Sequence, residues 1–187
     1  NNDGLQDLYV ANGFISGLPE TSYWYEYSKV GGGNKAIISD AANWPPMEGK
    51  SQSGYQQNML WVNQGSGKFI DASTIATAPV TLDSRSVAMV DLWNRGVLDV
   101  VVANQNGTPL VYKNTLLDAA HWIDIELVGT TSNKDAIGAL VILHAGEFSQ
   151  SQVVTGGIGF SSQNQHRVHF GLGQEDQIDR IEIIWPS

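Results

Sequence analysis

Apolar residues in this chain recur at short, partly alternating intervals, and nowhere at sustained helical spacing. Alternation sets one side of a strand against a core and leaves the other in water, so the pattern predicts short β-strands. Ten are expected: Leu8–Ala11, Met59–Asn63, Val87–Val90, Val97–Ala103, Leu110–Lys113, Ile123–Val128, Ala139–His144, Gln152–Thr155, Val168–Phe170 and Ile178–Trp185. Most are rich in Val, Ile, Leu and aromatics and are bounded by Gly, Asn, Asp or Ser, which suit turns. No long amphipathic helix is present, and Asp118-Ala119-Ala120 predicts one helical turn at most. The expected fold class is all-β.

Two of these strands belong to near copies of one unit. Gly4-Leu5-Gln6-Asp7-Leu8-Tyr9-Val10-Ala11-Asn12 matches Gly96-Val97-Leu98-Asp99-Val100-Val101-Val102-Ala103-Asn104, 92 residues on, and Asn2 pairs with Asn94. A second strand follows in each copy, Leu60-Trp61-Val62-Asn63 and Val111-Tyr112-Lys113-Asn114. Internal repetition of this kind is the signature of an architecture built from stacked units. In the second copy only the stretch from Gln105 to Leu110 joins the strands, a hairpin loop. In the first, an insert over residues 13–57 intervenes and carries Tyr23, Trp24, Tyr25, Tyr27 and Trp44. Those rings read either as a ligand-facing surface or as the packing of the insert on its own unit. The first copy starts mid-motif, so the chain is expected to be the C-terminal piece of something longer. Repeat logic holds over residues 1–117, and residues 118–187 read as a separate compact β-unit.

Each copy opens on an acidic turn. Asn1-Asn2-Asp3-Gly4-Leu5-Gln6-Asp7 resembles the tail of a D-x-[DN]-x-D-G-x-x-D loop. Alternate oxygens of such a loop can converge on a hard cation such as Ca²⁺, which takes 6 to 8 oxygen ligands. Asn1, Asp3 and Asp7 are the side-chain ligands this predicts, with a first ligand expected before residue 1. The second turn keeps its outer acids, Asp91 and Asp99, but has Trp93 and Arg95 between them. An Arg where an acid belongs predicts a metal-free turn, with Arg95 replacing the ion by pairing with Asp91 or Asp99.

Composition narrows the remaining chemistry. The 187 residues carry 19 acids against 10 Lys and Arg, a formal charge of −9. That disfavours nucleic acid, which is bound by neutralising phosphates. With no cysteine there are no disulfides, no Cys-ligated zinc and no thiol catalysis. No stretch approaches the ~20 apolar residues of a membrane helix. His166 and His169 lack a zinc spacing, Gly156-Gly157-Ile158-Gly159 lacks the strand–helix setting of a phosphate loop, and Ser161 and Ser162 lack a nucleophile elbow. Gln163, Asn164 and His169 are polar groups that either line a pocket or satisfy loop backbone.

The repeat resembles the FG-GAP/VCBS blades of integrin-α-like β-propellers, carried by Asp7 to Asn12, Asn58 to Asp71 and Ser84 to Asp91. The C-terminal part resembles the ASPIC/UnbV domain. Its carriers are Val128-Gly129-Thr130, Ser132 to Ala139, Gly156 to Phe160 with Ser162-Gln163-Asn164, His169-Phe170-Gly171-Leu172-Gly173 and Ile181 to Pro186. The pairing is similar to the family of the cartilage acidic protein and its bacterial relatives. The resemblance implies the last blades of a propeller, the others lying outside this chain, followed by a small β-sandwich-like domain. It also implies Ca²⁺ in the acidic loops, secretion or cell-surface display, a protein or glycan partner, and no enzymatic activity. The expected function is a structural or adhesive interaction module. Alternatives are a carbohydrate-binding surface built on the insert aromatics, or a polysaccharide hydrolase or lyase.

Overall fold

The two copies fold into hairpins with the same register. We describe a computed structural model that covers residues 1–13, 22–32, 35–50, 56–77, 80–105, 107–116 and 120–186. In the first sheet β1 (Leu8–Val10), β2 (Met59–Asn63) and β3 (Phe69–Asp71) run antiparallel in that order. In the second, β4 (Ser84–Val90), β5 (Asp99–Asn104) and β6 (Leu110–Tyr112) do the same. Leu8 faces Trp61 and Val10 faces Met59, while Val100 faces Tyr112 and Val102 faces Leu110. A one-residue slip would turn every side chain to the other side of the sheet, so this match fixes which residues of each copy share a face.

Side chains at the strand ends explain why the register repeats. Asp7 accepts the Asn63 N–H at 2.9 Å, and Asp99 accepts the Asn114 N–H at 2.7 Å. Asn63 and Asn114 each donate back at 3.1 Å, to the carbonyls of Gln6 and Leu98. At the far end Asn12 donates to Gln57 O and Asn104 to Thr108 O. Each hairpin is therefore clamped at both ends by the same three residues. The insert follows Asn12, on the loop side of the far clamp, and its last residue, Gln57, supplies the carbonyl that Asn12 binds.

The insert is where the chain departs from an all-strand reading. The described part of it forms α1 (Trp24–Gly31), α2 (Lys35–Ile38) and a 3₁₀ turn at Ala41–Asn43. A further short helix, α3 (Ser73–Ala76), follows β3, and Asp71 holds its start by accepting from the Ser73 N–H at 2.9 Å. Strands still dominate, and among the described residues they close no barrel. The helical turn expected at Asp118-Ala119-Ala120 lies largely outside the described residues.

The main core lies in the C-terminal part. Here β7 (His121–Ile125) pairs with β10 (Val168–Gly173), and β11 (Arg180–Ile184), β8 (Leu140–Ala145) and β9 (Phe148–Val153) form a three-stranded sheet. Both β8 and β10 bury every second residue: Val141, Leu143 and Ala145 from one, Val168, Phe170 and Leu172 from the other. These side chains join one cluster with Ala136, Ala139 and Val154, so the two sheets meet through their inward faces. Such a period-two pattern from both layers is what two packed sheets require. The side chains of Gln150 and Gln152 on β9 donate to Gly171 O and His169 O, tying the edge of β10 to the neighbouring sheet.

Candidate functional site

Both acidic turns lie against the start of β10. Asn2 of the first turn donates its amide to Gly96 O of the second at 2.8 Å. That bond fixes the amide orientation, so Asn2 Oδ1 faces His169 Nε2 at 2.9 Å. The other ring nitrogen, Nδ1, lies 2.7 Å from Asp124 Oδ1, and a carboxylate only accepts, so Nδ1 donates. Asp124 Oδ2 lies 3.3 Å from the guanidinium of Arg167, which donates to Asn94 Oδ1 at 2.7 Å. The equivalent asparagines of the two repeats thus engage alternate residues of one strand segment, Arg167 and His169, with Asp124 between them.

Close approach depends on two glycines. Gly171 lies against the main chain of Asn2, where a Cβ would collide with backbone atoms. Gly173 N–H donates to Asn2 O at 2.7 Å, beside that contact. Gly96 adopts φ +77 and is covered by the Trp122 indole, which leaves no room for a side chain. Trp122 in turn stacks on His169, with centroids 6.0 Å apart and planes at 22°. The His169 side chain retains 9% of its surface and Asp124 7%, so charge-assisted bonds here act with little competition from water.

The two turns differ in what neutralises them. In the first, Asp3 Oδ1 accepts the Leu5 N–H and Asp3 Oδ2 accepts from the Asn1 amide, and both acids are exposed. In the second, Asp99 is wholly buried, and Arg95 bonds it at 2.8 Å while also donating to Asn114 O at 2.8 Å. Asp91 is 4% exposed and accepts the Gly96 N–H at 2.5 Å. Burial pushes the Asp91 carboxyl up, but the N–H groups of Arg95, Gly96 and Trp93 and the charge of Arg167 outweigh it and hold it below the usual carboxylate range. Among the described residues no three His, Cys, Asp or Glu are placed to hold a metal ion. Asp3 and Asp7 each accept a backbone N–H, from Leu5 and from Asn63, and the Asn1 amide nitrogen faces Asp3.

The remaining polar candidates serve the chain itself. Asn164 accepts the Met89 N–H at 2.9 Å, and its neighbour Gln165 accepts the Asp91 N–H and donates its own N–H to Met89 O. Segment 164–165 therefore pairs with the end of β4. Gln163 lines an open recess of about 440 Å³ with Gly156–Gly159, Ser161 and Ser162, apart from His169. The insert aromatics pack mainly on one another. Tyr23 is 2% exposed and its hydroxyl donates to Pro45 O. Tyr27 contacts the rings of Tyr23 and Trp24 and meets Trp44 edge-on at 5.1 Å. Trp44 is fixed by its N–H on Ile38 O, and Tyr25, 61% exposed, faces outward with Lys29 over its ring.

Asp124, Arg167 and Trp122 were not legible as site residues, because no local motif contains them. The one available signal was the pairing of Asn2 with Asn94 in the repeat.

The strands around this cluster carry a recognisable family pattern. The family model of ASPIC and UnbV matches residues 129–187. No curated protein matches the chain. The ASPIC/UnbV segment contains β8 to β11, whereas β7, the partner of β10 and the source of Asp124, precedes it. Its first turn is stapled by Asn133, which accepts the Ile137 N–H at 2.8 Å and donates to Ile137 O at 2.9 Å. No helix among the described residues is long and apolar enough to cross a membrane.

Proposed function

We propose that this chain is a non-enzymatic interaction module of a secreted or cell-surface protein, with propeller blades of FG-GAP/VCBS type docked on an ASPIC/UnbV segment. The supporting observation is the use made of the polar residues at the junction. His169, Asp124, Arg167, Asn2 and Asn94 bond one another, and this fastens both repeat turns to β10. A catalytic base needs a free acceptor facing a substrate. Here the ring nitrogens of His169 both face protein oxygens. The two hairpins with common register are read as blades, and further blades would continue the same stacking.

In this reading the first turn takes Ca²⁺ through Asn1, Asp3 and Asp7. The ion would supply a charge cross-link, while Asn2 passes the ordered turn to His169 and Gly173. The exposed apolar residues at strand edges, such as Ile70 at 53% and Ile184 at 55%, offer surface to a protein or glycan partner. The test is incubation of the chain, in Ca²⁺, with a panel of matrix proteins and polysaccharides, following both binding and product release. Saturable binding without turnover is expected. Polysaccharide cleavage abolished by substituting an acidic residue would overturn the reading. Glycan binding lost on Trp44→Ala would move the site to the insert.

A further inference from the structure

We propose that two copies of this chain associate through β11, edge to edge and antiparallel, about a twofold axis at Ile181. Among the described residues β11 pairs with β8 alone, so its other side is a free strand edge. Proteins normally cover or blunt such an edge, because its unpaired N–H and C=O groups template another strand. Here the core side of the edge is uncovered as well. Ile181 lies opposite Leu143 and Ile183 opposite Val141, so all four share the inward face of the sheet. Leu143 and Val141 are fully buried, whereas Ile181 and Ile183 remain 38% and 37% exposed. The apolar layer therefore runs past β8 to the margin of the sheet and is left open there.

The charges on the other face of β11 select the strand that fits. Extending the sheet with both inward faces on one side sets residues of equal parity opposite each other. A register centred on Ile181 puts Arg180 opposite Glu182 of the second copy, and symmetry repeats that pair across the axis. A register centred on Arg180 or on Glu182 brings like charges face to face, which destabilises a strand pair. One centred on Ile183 sets Arg180 against Pro186, which has no N–H to donate, and Glu182 against Ile184. Within one chain Arg180 already bonds Glu182 at 2.6 Å, so the pairing closes a square of alternating charges. His144 on β8 lies 3.6 Å from Glu182 and flanks that square. Asp179 falls opposite Ile183 of the second copy, and its carboxylate is turned aside onto the Gly146 N–H at 3.0 Å. β11 is thus complementary to itself. Ile181 meets its counterpart at the axis, and two three-stranded sheets become one of six.

The experiment follows the mass of the native chain by sedimentation equilibrium over a wide concentration range, beside R180E, E182R and R180E/E182R. Arg180 and Glu182 are 63% and 39% exposed, so these substitutions are expected to leave the fold intact by circular dichroism. The native chain is expected to dimerise. Each single variant turns both attractive pairs into repulsive ones and should weaken the dimer by about tenfold or more. The double variant restores opposite charges and should restore the dimer. An equimolar mixture of R180E and E182R should dimerise although neither does so alone, because each then faces its complement. Amide exchange gives an answer that needs no substitution: protection of residues 180–184 should rise with concentration of the native chain. A native chain that stays monomeric would overturn the proposal and leave β11 open to a strand of another protein. A dimer indifferent to R180E and E182R, or exchange at residues 180–184 that does not change with concentration, would place the contact elsewhere and equally overturn it.

Discussion

Asp91 shows how one residue links the turn chemistry to stability. Its carboxyl is held below the usual carboxylate range, so the folded chain releases its proton more readily than the unfolded chain does. Stability from this group is fully present above its ordinary titration range and is lost as pH falls through the lowered folded value. Asp91→Asn removes the charge while keeping a similar shape. The variant is expected to lose about 1.5–3 kcal/mol at neutral pH, the typical worth of a buried charge-assisted bond. It should also show a flatter acid limb, measured as the urea midpoint between pH 7 and pH 3. The pairing of Arg95 with an outer acid was legible because the two lie four residues apart in one turn. The Asp124–His169 pair was not, because 45 residues separate it and chain order says nothing of which strands become neighbours.

At the level of elements, strands were legible where alternation was long enough to read. Met59–Asn63 matches its expected limits, and the others shift by a few residues at their ends. The exception is β3, whose three residues are too few to show a period. Helix α1 went unread because Trp, Tyr and Val favour strands by propensity. Its signals were local and weak: Ser22, whose hydroxyl accepts the Trp24 N–H, Glu26 three residues before Lys29, and Gly31-Gly32 at the end. Tertiary packing of Tyr23, Tyr27 and Trp44 then outweighed propensity. Because the side chains that clamp the hairpin, Asp7, Asn12 and Asn63, lie outside residues 13–57, the insert is expected to be dispensable. Replacing residues 13–57 by the short loop of the second copy should leave β1 and β2 paired in register. Far-ultraviolet circular dichroism would then lose helical signal and keep its strand signal, whereas loss of the strand signal would show that the insert holds the hairpin together.

For the whole molecule, the junction decides what the parts can do together. Repeat turns and core strands meet through Asn2, Asn94, Asp124, Arg167 and His169, so ordering one turn orders the contact that holds it to β10. The all-β class and the ASPIC/UnbV segment could be read from strand pattern and ordered motifs. The docking of turns on β10 could not, since it rests on bonds spanning up to 167 residues. The central claim is that the first acidic turn is a live cation site supporting this junction. Thermal unfolding of the chain in Ca²⁺ and in EDTA tests it most directly, with D7N and D99N variants alongside. A ligand at about a hundredfold its Kd adds about 2.7 kcal/mol to the folded state. For a chain of this size that corresponds to roughly 5–10 °C in Tm. The account predicts such a rise in the native chain and in D99N relative to its own EDTA value, and none in D7N. No rise in the native chain, or a rise that survives D7N, would contradict it.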